Sequence, residues 1–450
     1  MKSLGNDGRV DSIAAGLRRP LMPATFSFSA ETVTAPKILP KQKRPEFGRC
    51  LVLIAAGVAL IAKLSIAWNT FGTNDAAFFY SFGKSLSQHG LKWTYVSDVA
   101  FNHPPLVAAF IRCIYELDHL PWLHANGIAF PLLLRLPGII SDFVVVLVLL
   151  SAAKPLRLPI WSLLALALSP VSLMVSGFHG NTDSVMVMFI VLAACMCLWE
   201  RPILCGLFLA LSSQIKIIPL LLVPIFFFYW LHRRRVFAFA LPFAAALVLL
   251  WIEPLLRFPG VFIHRVLFYG SFWGLWGITY WLRLTGLKDF SRVTYYNFLP
   301  LQQVAVTGLK LAIIAAVLVI AWRRRKLDAR GLFVSLGWAW VIFFIFSPGV
   351  CAQYMVWLMP FVLVLSPGFF AWLTGGSSIF LFFFYNTIAG GLPWYLAVST
   401  GQLNDRWLPW SLWPWATLIV GAILLWNRAL RAAPSVRLCS LVSVNPPPPL

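Results

Sequence analysis

Runs of about twenty consecutive apolar residues recur along this chain, and each is long enough to cross the roughly 30 Å hydrocarbon core of a bilayer as a helix. The first extends from Cys50 to Trp68. Sixty per cent of the 450 residues are apolar and 11% are charged, a balance that excludes a soluble globular domain. The fold class that follows is an all-α, polytopic membrane protein.

The charges say how the runs are threaded. Thirty-six basic residues against 15 acidic ones leave a net +21. The surplus is gathered at Lys41, Lys43, Arg44 and Arg49, at Arg233, Arg234 and Arg235, at Arg323, Arg324, Arg325 and Lys326, and at Arg428, Arg431 and Arg437. Basic clusters that flank apolar runs mark cytoplasmic ends, and a count of about twelve spans with both termini cytoplasmic places every cluster on one side. Residues 1–48 then read as a disordered basic cytoplasmic tail, 49–430 as the transmembrane domain and 431–450 as a second tail, with long external segments at 69–126 and 253–301. The first tail lacks the apolar stretch and cleavage site of a signal peptide, so the first span is expected to stay as an anchor. No aromatics interleave with the bases on a soluble face, which argues against a nucleic-acid partner. The seven cysteines sit mostly inside apolar runs without metal-ligand spacing.

This threading collects the awkward polar residues on the other side: Asp75, Asp98, His103, His179, Asp183, Lys216, Glu253, His264, Arg265, Gln353, Tyr354 and Asp405. Charges held near a membrane are costly and commonly line a functional cavity. In TNDAAFFYSFG, Asp75 opens a helical pattern; the helix dipole alone favours an acid there, and a proton acceptor would suit the same place. Phe78 to Leu86 and Leu106 to Leu117 have the spacing of two amphipathic surface helices. FNHPPL adds Asn102 and His103 ahead of the second.

RLPGIISDF sets Arg135 and Asp142 two turns apart, where they could share a face as a structural pair. GFHGNTDS packs His179, Asn181 and Asp183 into one turn, with Asp183 also a natural helix cap. SSQIKIIP holds Lys216 between two apolar halves, either snorkelling or facing a phosphate. HRVLFYGSFWGLWGITYWL brings His264 and Arg265 to an aromatic stretch, as a surface hairpin or as interfacial anchoring. SPGVCAQYMVWLMP places Gln353 and Tyr354 at the top of a span. No P-loop, dinucleotide or zinc-protease motif occurs.

Six of these stretches, TNDAAFF, FNHPPL, RLPGIISD, GFHGNTDS, SSQIKIIP and HRVLFYGSFWGLWG, resemble in their order the GT-C superfamily of membrane glycosyltransferases. The likeness is to the polyprenyl-phosphate-sugar-dependent glucosyl- and mannosyltransferases and their bacterial relatives, and it covers nearly all of residues 50–365. Where those enzymes carry D-Y-P-P-L, this chain has Asn102 and His103. The resemblance implies an inverting, cofactor-free transfer of one sugar from a polyprenyl-phosphate donor to a lipid-linked or cell-surface glycan acceptor on the non-cytoplasmic face. The membrane would be the bacterial inner membrane, or that of the endoplasmic reticulum in a eukaryote. Asp75 would be the general base and Lys216, helped by His264 or Arg265, the phosphate contact. Asn102, His103, His179, Asn181, Asp183, Gln353 and Tyr354 would complete the substrate site. Other branches of the superfamily hold a divalent metal through paired acids, so Asp75 with Asp98 or Asp183 stays open as a metal site. A transporter or flippase of a lipid-linked sugar is the alternative; no internal repeat supports it, and the polar groups gather on one face, not at the midplane.

Overall fold

A peptide group in hydrocarbon has no water to bond, so an apolar run must close its hydrogen bonds within itself, as a helix does. The computed structural model describes residues 44–268, 272–295, 297–397 and 405–432. The two expected tails lie almost wholly outside the described residues, as do 269–271 of the aromatic stretch and the start of GQLNDRW. The described residues from Pro45 onward form one compact body.

Among the described residues, eight helices are long and apolar enough to cross a membrane. In chain order the principal helices are α1 (Arg44–Asn69), α2 (Asn74–Ser97), α3 (Pro105–Asp118), α4 (Phe130–Ser151), α5 (Ile160–His179), α6 (Asp183–Leu198), α7 (Pro202–Ile215), α8 (Ile218–His232), α9 (Val236–Arg257), α10 (Pro300–Arg324), α11 (Ala329–Phe346), α12 (Ala352–Leu365), α13 (Pro367–Ile388) and α14 (Leu412–Ala432). Helices α6, α7, α8 and α12 are the four shorter apolar ones. Their length has a reason in their position: α6 packs against α4, α7, α11 and α12, and Met355 to Val364 of α12 are buried without a break. A helix walled in by other helices need not match the lipid thickness.

One boundary differs from the expected one. The charge pattern carries the tenth span to Thr374–Gly376 and starts the eleventh at Phe380, whereas α12 stops at Leu365 and α13 runs from Pro367 to Ile388. Ser366 ends the first and caps the second, its side chain accepting from Phe369 N, and Pro367 sits in the first turn, a strong start signal. Gly376 lies inside α13, where a Cβ would come 3.2 Å from Thr417 Oγ1 of α14; the glycine serves close packing, not a turn.

Helices form over both stretches that the amphipathic spacing marks. Helix α2 bends at Gly90, whose φ of 81° suits only glycine. Helix α3 buries Val107, Ala108, Ile111 and Ile114 and exposes Arg112 and Glu116, which pair at 2.8 Å. The two touch at Gly83, where a Cβ would lie 2.6 Å from Tyr115 Cβ. Two tryptophans of the aromatic stretch after α9 are buried in protein: Trp273 Nε1 donates to Phe290 O and Trp276 Nε1 to Phe344 O. Trp273 and Trp276 are core residues, whereas Trp281 stays about half exposed.

Candidate active site

The site is assembled where α1, α5, α7 and α13 end and α2, α6 and α12 begin. Arg135 of α4 organises it. Only 1% exposed, its guanidinium donates to Pro131 O, Ala67 O, Gly177 O, Phe178 O, Thr70 Oγ1 and Thr70 O. This fork ties the end of α1 to the π-helical last turn of α5, Leu173–His179. Asp142, expected to share a face with Arg135, turns elsewhere: it pairs with Lys63 Nζ at 2.7 Å and accepts from Ser172 Oγ at 2.5 Å. A guanidinium has five donors to place, and free carbonyls at two helix ends satisfy them better than one carboxylate.

Thr73 then fixes the start of α2. Its hydroxyl donates to His179 O at 2.7 Å and accepts from Asp75 N at 3.4 Å. Asp75 therefore stands against the His179 turn, with Oδ2 at 3.0 Å from His179 Nε2 and 3.4 Å from Gln353 Nε2. His179 Nδ1 lies 2.8 Å from Tyr385 Oη. Burial works to raise the Asp75 pKa, but the His179 contact and the Lys216 charge outweigh it, leaving the carboxyl below its ordinary 3.8.

Asp75 opens into a cavity of about 230 Å³, shared with Asn102, His103, Asn181, Thr182, Lys216, Gln353 and Tyr354 and walled by Phe78, Phe79 and Phe82. His103 packs on Phe79 and Phe101 and gives its carbonyl to Tyr95 Oη. Burial, then the Lys216 charge, push its ring from 6.5 down to about 3, so it is a neutral imidazole at physiological pH. Cys351 also lines the cavity; burial pushes its thiol up to about 12, which makes it a poor nucleophile.

Lys216 sits at the break between α7 and α8, in extended backbone. Its ammonium is 2.7 Å from Asp183 Oδ1 and 4.6 Å from the centre of the Tyr354 ring. Trp357 Nε1 donates to the same carboxylate oxygen at 2.5 Å, while Asp183 Oδ2 has no partner. Asp183 thus lies behind the cavity as the counter-ion that seats Lys216. Asn181 accepts from Asp183 N, yet its Nδ2, like Thr182 Oγ1, is buried without a hydrogen bond. Unfilled donors on a cavity wall are ready partners for hydroxyls.

Asp75, Asn102, His103, Asn181, Lys216, Gln353 and Tyr354 are brought to one cavity, with His179 and Asp183 directly behind it. His264 and Arg265 are not: His264 is exposed and Arg265 Nε donates to Tyr95 O at 3.1 Å. Asp98 accepts from Ala100 N in its own turn, and among the described residues no three His, Cys, Asp or Glu side chains group as metal ligands do. Sequence reasoning missed Thr182, Trp357 and Tyr385. The one available signal for Tyr385 is a lone hydroxyl closing the run FLFFFY.

A sequence profile of glycosyltransferase family 87 matches residues 101–348, more than half of the chain. The matched part holds His103, the His179 turn, Lys216 and the aromatic stretch; Asp75, Gln353, Tyr354 and Tyr385 lie outside it. No curated protein matches the chain. With its membrane-crossing helices and this match, the chain belongs to glycosyltransferase family 87 and is a multi-pass membrane glycosyltransferase of the GT-C type, an enzyme that joins a sugar donor to an acceptor.

Proposed function

We propose that the enzyme moves one sugar from a polyprenyl-phosphate donor to a lipid-linked or cell-surface glycan acceptor, with inversion, on the non-cytoplasmic face of a bacterial inner membrane or its endoplasmic-reticulum equivalent. One observation carries the reading: Asp75 and Lys216 line the same cavity. A polyprenyl phosphate is its own leaving group, so the protein has three tasks. It must take a proton from the acceptor hydroxyl, meet the charge that grows on the phosphate, and hold the two in line.

Asp75, held below the ordinary carboxylate range, is ionised at neutral pH and suits the first task. Lys216 spends one of its donors on Asp183 and keeps others for phosphate oxygens, which suits the second. Asn102, Asn181, Thr182 and Gln353 supply amide and hydroxyl groups for sugar hydroxyls, and the wall of Phe78, Phe79 and Phe82 suits the first isoprene units. The eight long helices and the four short ones support a threading of twelve crossings, with the cavity on the side away from the basic clusters.

The test is turnover by purified protein on a panel of polyprenyl-phosphate sugars, wild type against Asp75→Asn. The variant is expected to fold and to lose about a hundredfold or more in turnover, the usual size of a general-base contribution. Full turnover in the variant removes Asp75 from that role, and wild-type turnover only with nucleotide sugars removes the donor class.

A further inference from the structure

Both side-chain contacts of Asp75 fall on one oxygen. His179 Nε2 and Gln353 Nε2 meet Oδ2, while the side chain as a whole keeps 29% of its surface exposed. An ionised carboxylate only accepts hydrogen bonds, so the imidazole presents its proton on Nε2. The other ring nitrogen of the neutral imidazole is then an acceptor, and the group facing it is Tyr385 Oη. A phenol can donate there. Were the ring instead doubly protonated, the buried Tyr385 hydroxyl would accept from it and its own hydrogen would need another taker in a site closed by rings. Phe178, Phe384 and Trp394 stand around it at centroid distances of 5.4, 5.3 and 5.5 Å.

We infer that Tyr385 is a positioning residue for the transfer: by donating to His179 Nδ1 it holds the imidazole in its Nε2–H tautomer, which pins Asp75 Oδ2 and leaves Oδ1 to receive the acceptor's proton. The inference rests on Asp75 being the base. In the step itself the acceptor O–H proton passes to Oδ1, the oxygen's electron pair forms the bond to the sugar C1, and the C1–O bond to phosphate breaks with its electrons kept by the polyprenyl phosphate. Nothing is oxidised or reduced, and Asp75 returns the proton to water afterwards. The three side chains come from α2, the end of α5 and α13, separated by 104 and 206 residues in sequence. Besides His179, the groups facing Asp75 are Gln353, Lys216, His103 and Cys351. None of them touches His179 Nδ1, so tautomer control falls to Tyr385.

Two measurements on the full-length protein in lipid nanodiscs test this. The first is ¹⁵N NMR of labelled histidine, with the ring of residue 179 assigned by the signal lost in His179→Gln. The expected ring at neutral pH carries a proton on Nε2 and none on Nδ1, and the Nδ1 signal moves in Tyr385→Phe. The opposite tautomer, a doubly protonated ring, or a signal indifferent to Tyr385→Phe overturns the proposal. The second is turnover. Tyr385→Phe preserves the ring packing, and it is expected to lower kcat about tenfold with little change in KM, the usual cost of removing an outer-shell partner. Placed on Asp75→Asn, the same substitution is expected to leave the residual rate nearly unchanged, because its effect runs through the carboxylate. Equal losses in both backgrounds overturn the positioning role. Full turnover by Asp75→Asn alone sinks the base reading and this inference together. A large loss in Asp75→Asn with an indifferent ring signal sinks the inference alone.

Discussion

Asp183 has one oxygen shared by Lys216 and Trp357 and the other without a partner, so its buried charge depends on Lys216. Lys216→Met strands that charge and is expected to cost about 3–5 kcal/mol of stability, because an unpaired buried ion is worse than none. Adding Asp183→Asn is expected to restore most of the thermal stability in detergent and none of the turnover, which separates the structural half of the pair from the catalytic half. His103 gives a pH signature. Its folded pKa of about 3 lies below its ordinary 6.5, so between those values the unfolded chain binds the extra proton. Stability therefore rises with pH through that window and is lost as pH falls through it. His103→Phe is expected to flatten the thermal midpoint's pH dependence there; an unchanged slope would assign it to another group. At this scale Asp75 and Lys216 were legible, because a charge beside an apolar run is conspicuous. Tyr385 was not, since one hydroxyl among phenylalanines looks like core.

Arg135 acts on elements more than on chemistry. It crosses from α4 to the ends of α1 and α5 and sets the loop from which Asp75 emerges. Replacing it with lysine keeps the charge but offers a point donor where six acceptors are arranged around a planar fork. Arg135→Lys is expected to lose about 3 kcal/mol or more, from several buried carbonyls left unpaired, and to lower turnover with it. Equal thermal midpoints for wild type and variant would reject this. The sequence places Arg135 and Asp142 two turns apart and invites a mutual pair. Partners at longer range, Lys63 for one and two helix ends for the other, took them instead. The α12–α13 boundary has the same lesson in reverse: Gly375 and Gly376 resemble a turn by composition, yet Ser366 and Pro367 carry the actual cap.

Among the described residues, the basic cluster at Arg233 to Arg235 is tied to neighbouring helix ends away from the cavity, where Arg233 reaches Leu327 O and Arg235 pairs with Glu200, and Arg330 reaches Leu156 O. The outer helices show apolar residues to their surroundings, Leu311 of α10 and Leu249 of α9 at 61% and 68% exposure among them. These are the lipid-facing positions of a membrane enzyme. Leu311→Arg is expected to penalise membrane insertion by about 3 kcal/mol, seen as lower yield in the membrane fraction, while protein that does insert keeps its turnover. That the chain is a polytopic helical membrane protein was determined by the sequence alone, because the length of an apolar run acts on a segment before it meets any other. Which polar groups became partners was decided only by the tertiary structure. Lys216 with Asp183, Asp75 with His179 and His179 with Tyr385 are contacts between helix ends far apart in the chain, and no local rule of spacing or propensity reaches across that distance.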